Sequence, residues 1–105
     1  MITLKTTTIY YKNDRVTLEQ FEKGTKRFYI SNGCTPLGFA DNIDEAYFIY
    51  KNKVRALKAR RTREFNKQVA YVKANIDSVD FDLVVEVFTR DFHITEETVR
   101  RIFDR

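Results

Sequence analysis

The sequence predicts an α+β fold: a small three-stranded antiparallel sheet backed by a long helix and followed by two short C-terminal helices. Three observations carry that expectation. Residues 2–11 are largely β-branched and aromatic, which suits a pleated, half-buried surface better than a helix. Ser31-Asn32-Gly33 separates two short extended runs with residues that tolerate positive φ. Ala46, Tyr50, Val54 and Leu57 recur at three- and four-residue spacing, and Phe65, Val69, Val72 and Ile76 continue the stripe after a basic stretch, the spacing of one helix face.

Ile2 to Tyr11 reads as the first strand, and Asn13-Asp14 breaks it. Val16 to Lys23 admits either an irregular loop or a short helical turn that carries Leu18 and Phe21 inward. Residues 26–31 alternate so that Phe28 and Ile30 share one face while Arg27 and Tyr29 share the other. Residues 36–39 resume extended structure and complete a hairpin. Asp41 or Asn42 caps the long helix, and Asp44 and Glu45 lie in its first turn, where the macrodipole favours negative charge. That helix, or two abutting ones, runs from about 43 to 73. Two helices follow, at about 79–90 and 95–103, with a break near Phe92-His93 and Thr95 as the cap of the second.

At 105 residues the chain suits a single domain, comprising a sheet region (1–42), a basic helix (43–75) and a C-terminal helical pair (79–105). Its 14% aromatic content lets it build a core without a disulfide. One Cys and one His argue against structural zinc and against triad hydrolases, which need more such ligands or a His-activated nucleophile. No cofactor, metal or catalytic residue is expected. Asp77, Asp80 and Asp82 read as helix-start charges, His93 as a turn residue, and Cys34 as a reduced thiol. No run approaches the ~20 apolar residues of a membrane span, so a cytoplasmic protein without a membrane partner is expected.

Charge is unevenly placed. Residues 1–50 are neutral, 51–74 carry nine cations against Glu64 alone, and 75–105 carry four cations against eight carboxylates. A middle block of this kind suggests a polyanionic partner. Lys51, Arg55, Lys58, Arg60, Arg61 and Arg63 are the candidate contacts on the basic helix.

Two resemblances sharpen the expectation. Leu37-Gly38-Phe39-Ala40-Asp41-Asn42-Ile43-Asp44-Glu45-Ala46-Tyr47-Phe48-Ile49-Tyr50, after a strand ending Asn32-Gly33, resembles the DNA-binding domain of plant ethylene-response factors and phage-borne HNH homing endonucleases. The likeness covers residues 25 to 60. Leu37, Gly38, Asp41, Glu45, Ala46 and Tyr50 fit in register, with Ala40 where a Phe is usual and Ile49 where an Ala is usual. It implies a three-stranded sheet whose exposed face reads the major groove, with Arg27, Tyr29 and Lys5 as contacts. HNH chemistry needs at least two histidines, and only His93 exists, so the resemblance extends to DNA reading without the nuclease.

Phe88-Thr-Arg-Asp-Phe-His-Ile-Thr-Glu-Glu-Thr-Val-Arg-Arg-Ile-Phe103 is similar to a helix-turn-helix. That likeness implies Thr95, Glu96, Thr98, Arg100 and Arg101 on the groove-facing side; its alternative is a helical pair that only closes the core. The expected function is a small, non-catalytic, sequence-preferring DNA-binding protein, a phage or mobile-element regulator with double-stranded DNA as partner. The rival is a protein-binding module or phage-type inhibitor of a host protein. A homodimer is left open.

Overall fold

The computed structural model describes all residues, Met1–Arg105, as an α+β chain of four strands and three helices. The residues cluster into two compact units, Met1–Ile9 with Asn13–Ala59, and Tyr10–Lys12 with Arg60–Arg105.

In the first unit β1 (Ile2–Thr8), β2 (Arg15–Gln20), β3 (Phe28–Asn32) and β4 (Thr35–Ala40) form one antiparallel sheet in sequence order. The sheet is four-stranded, not three-stranded, because 15–20 is a strand rather than a loop or helical turn. Leu18 and Phe21, three residues apart, would share a helix face, but on an extended chain an odd spacing sends them to opposite sides. Val16 and Leu18, two apart, are accordingly buried together. The Asn32 side chain fixes the start of β2, accepting from the Arg15 N–H at 3.0 Å and donating to Asp14 at 3.0 Å. β1 is also shorter than expected: it ends at Thr8, and Tyr10 and Lys12 take positive φ of 58° and 51°. Gly33, at φ 58°, turns β3 into β4.

Directly paired residues lie on one side of a sheet. Thr7 and Val16, Lys5 and Leu18, Leu18 and Ile30, Ile30 and Gly38, and Phe28 and Ala40 are such pairs, and they define the helix-covered face. Glu19, Tyr29 and Phe39 align on the open face. The helix α1 (Ile43–Ala74) packs on the sheet through its early turns. There Ala46 and Tyr50 are buried, and a Cβ added to Gly38 would stand 3.1 Å from Ile49 Cγ2. Asn42 caps α1, its side chain accepting from the Glu45 N–H at 2.8 Å.

The second unit holds the rest of α1 with α2 (Phe81–Phe92) and α3 (Glu96–Phe103). Its core is aromatic: Phe88 meets Phe65 and Phe103 edge-on, and Tyr11 stacks on Phe92 at 5.1 Å. Asp80 caps α2 and Thr95 caps α3. His93 closes α2 in the left-handed conformation at φ 55°, and its Nε2 is 2.7 Å from the Lys12 carbonyl.

Ile30, with 0% exposure, is packed from both flanking strands. Ile30→Ala is expected to lose about 2–5 kcal/mol, read as a fall in the urea midpoint. Phe39→Ala, at a ring 60% exposed, should lose less than half as much in the same measurement.

Candidate nucleic-acid interface

In the first unit β1 and the early turns of α1 border an open, shallow cleft of about 400 Å³, lined by Thr7, Tyr50 and Val54 together with Lys5, Tyr47, Lys51, Arg55 and Lys58. Helical spacing brings these together. Positions 47, 51, 55 and 58 follow one another at four, four and three residues, so they share one face of α1. Lys5 reaches the same place from the sheet because its pairing with Leu18 turns it to the helix side. Tyr50 is anchored in the core, with its hydroxyl hydrogen-bonded to that of Thr7.

Tyr47 is the focus of the charges. Lys5 Nζ donates to its hydroxyl at 3.2 Å, and Lys51 Nζ lies 4.7 Å from the ring centroid. The ammonium favours the phenolate, so the Lys5 hydrogen bond, followed by its charge, lowers the Tyr47 pKa below the ordinary phenol value, and Lys51 adds to this. The same hydrogen bond and charge raise the pKa of Lys5. No carboxylate lines the cleft. Four cations beside the hydroxyls of Thr7, Tyr47 and Tyr50 are suited to holding an anion with several acceptor oxygens.

The structure therefore brings together Lys5, Lys51, Arg55 and Lys58 of the residues singled out in the sequence. Tyr29 is on the other side of the sheet from Lys5, where it packs with Phe39 at 4.9 Å and Phe21 at 6.4 Å. Arg27 is exposed just before β3, and its carbonyl accepts from the Phe21 N–H. The exposed sheet face thus presents Tyr29 but not Lys5. Tyr47 was legible as an aromatic residue and not as a cleft residue; the signal was its four-residue step to Lys51.

The remaining cations belong to the second unit. Arg61 is engaged with backbone: Nε donates to the Tyr10 carbonyl at 2.7 Å and Nη2 to the Phe92 carbonyl at 3.1 Å. Arg60 lies over the Tyr11 ring at 5.5 Å, and Arg63 is exposed. On α3, Arg100 pairs with Glu96 at 2.9 Å and Arg101 with Glu97 at 3.2 Å, and Arg100 also lies over Phe81. The Thr95 hydroxyl caps Thr98 N–H at 3.2 Å and bonds the Thr98 hydroxyl at 2.8 Å.

No three or more His, Cys, Asp or Glu side chains converge as metal ligands would, and no helix is long and apolar enough to cross a membrane. Comparison with protein-family models, with curated proteins and with solved structures finds no match to this chain.

Two outcomes are expected. Tyr47 should ionise below the usual phenol range in an alkaline absorbance titration, and Lys5→Ala should move that step upward, since the ammonium that favours the phenolate is gone. Arg61→Ala leaves two carbonyls without their charged donor and should cost about 1–3 kcal/mol; Arg63→Ala, at an exposed site, should fall within about 0.5 kcal/mol of the parent in the same thermal unfolding experiment.

Proposed function

We propose that this protein binds DNA through its phosphate backbone, without catalysing a reaction, and that Lys5, Lys51, Arg55 and Lys58 make the principal contacts. The observation that carries this reading is the carboxylate-free cationic cleft of the first unit. Lysine and arginine that neutralise phosphates release condensed counterions, so such a site gains affinity without reading bases. The resemblance to ethylene-response-factor-type domains, which rests on the Leu37–Tyr50 stretch where β4 leads into α1, agrees with a DNA partner. Sequence preference, and with it a regulatory role in a phage or mobile element, would then arise from base contacts outside the cleft. Arg27 and Tyr29 are the candidates on the sheet side, and Thr95, Thr98, Arg100 and Arg101 on α3.

A protein partner, as in an inhibitor of a host protein, is the second reading. It is favoured by Tyr71 and Leu83, 67% and 54% exposed, beside an apolar cleft of about 640 Å³ between α1 and α2 in the second unit.

The test compares duplexes of genomic and random sequence at two salt concentrations. For the parent, affinity should fall steeply with salt. The Lys51→Ala, Arg55→Ala double variant should weaken binding to both duplexes alike and flatten the logarithmic salt slope by about 0.9 per lost contact. The Arg100→Ala, Arg101→Ala variant should leave the slope unchanged, because Glu96 and Glu97 already neutralise those guanidinium groups. It should relax sequence preference only if α3 touches bases. Absence of DNA binding by the parent at low salt would leave the protein-partner reading.

A further inference from the structure

We infer that the groove between α1 and α2 is the interface of a two-fold dimer, and that its occupant is the same groove of a second copy of this chain. Such association does not require DNA. In the second unit α1 and α2 run antiparallel: Phe65 meets Phe88 and Phe92 at one end of the pair, and the chain turns from α1 into α2 at the other. Aromatic rings fill the space between the helices near Phe65. Towards the turn the lining side chains are Val72, Val79, Val84 and Val87, and these shorter groups leave an open groove of about 640 Å³. Tyr71 on α1 and Leu83 on α2 stand exposed beside it. An antiparallel helix pair with an apolar groove along one side is half of a four-helix bundle, which a second pair completes.

The charges flanking the groove favour a second copy as that pair. The Phe65–Phe88 contact levels the two helices, and each residue from there advances about 1.5 Å. Lys67 is two residues after Phe65 and Glu86 two before Phe88, so both lie about 3 Å towards the turn. Tyr71 is six residues after Phe65 and Leu83 five before Phe88, about 9 and 7.5 Å along. Glu64 and Arg90 lie just on the other side of the contact, one residue before Phe65 and two after Phe88. A two-fold axis along the groove keeps every level and lays α1 of each copy over α2 of the other. Lys67 then comes beside Glu86 of the second copy, Glu64 beside Arg90 and Tyr71 beside Leu83, and symmetry makes each pairing twice. An axis across the middle of the groove would instead set Tyr71 against Glu64. None of the ion pairs within the chain uses Glu64, Lys67 or Glu86. Arg90 pairs with Asp91 at 3.0 Å but stays exposed, and a guanidinium has further N–H donors to offer.

The test is sedimentation equilibrium of the full chain, freed of nucleic acid, over a range of concentrations. The 12.5 kDa chain should reach twice its mass and go no further, because an isologous two-fold interface closes on itself. Leu83→Glu, at an exposed site, should weaken the dimer by about tenfold or more, since it buries a charge against Tyr71. Its thermal unfolding at concentrations where the parent is monomeric should match the parent. Lys67→Glu and Glu86→Lys should each weaken the dimer by about fivefold, because each sets like charges together twice. The variant with both substitutions should recover most of that loss. A parent that keeps the mass of one chain at every concentration overturns the inference and leaves the groove to an unrelated partner. Mass that climbs past two copies overturns it too, since the contact would then be head-to-tail. Dimerisation unaffected by Leu83→Glu, or a double charge variant no better than the single ones, overturns the placement of the interface in this groove. Duplex binding, measured separately, is untouched by any of these outcomes.

Discussion

The close approach of α1 to the sheet at Gly38 is the constraint on which the first unit depends. Ile49 stands where it would crowd any side chain at position 38, and Ala46, one turn earlier, is fully buried. With small residues at these two positions the helix can settle onto β3 and β4, and the larger Ile49 fills the space that Gly38 leaves. This packing sets the rotation of the helix. Once Ala46, Ile49 and Tyr50 face the sheet, residues at 47, 51, 55 and 58 are carried to its flank, where β1 brings Lys5. The cationic cleft is thus a consequence of core packing, and its geometry needs no dedicated loop.

In the second unit the comparable role falls to Arg61. Residues 10–12 contain two non-glycine residues at positive φ, each costing about 1–2 kcal/mol. Three interactions oppose that cost. The Arg61 guanidinium donates to the carbonyls of Tyr10 and Phe92, the Lys12 N–H donates to the Asp91 carbonyl, and Tyr11 buries its ring against Phe92. Bonds from a charged donor contribute about 1.5–3 kcal/mol each, enough to offset the strain. The Phe92 carbonyl lies at the end of α2, where helix carbonyls lack an intrahelical partner, so the guanidinium also completes that terminus.

This division of labour explains what the sequence disclosed and what it withheld. The hairpin at Gly33, a cap for α1 at Asp41 or Asn42, the Thr95 cap and the inward placement of Phe28 and Ile30 follow from local chemistry and were legible. β2 was not, because its inward face has only Val16 and Leu18, and Phe21 suggested a helical spacing that the extended chain does not use. Arg61 was read with its basic neighbours since one-dimensional charge density cannot separate a guanidinium bonded to backbone from one facing water. That distinction needs the carbonyl partners, at Tyr10 and Phe92, which are far away in sequence. Lys5 and Lys51 illustrate the converse case: both were legible as cations, while their meeting at one tyrosine depends on strand register.

The contrast between the cleft and α3 shows why equal charges need not be equally available to a ligand. Arg100 and Arg101 each have a glutamate one turn earlier, and a phosphate approaching them must compete with carboxylates already in place at 2.9 and 3.2 Å. The cleft cations have no carboxylate among the lining residues. Their mutual repulsion is tolerated because the ammonium groups remain in water, where two charges 4 Å apart interact by only about 1 kcal/mol. An anion that enters the cleft displaces part of that water, and at an effective dielectric near 20 the same separation corresponds to about 4 kcal/mol. Attraction between ligand and cations therefore strengthens as the site fills, whereas the unfilled site incurs little electrostatic cost. The energetic asymmetry follows from where Glu64 lies: the one carboxylate of the basic block comes after Arg63, beyond the turns of α1 that form the cleft.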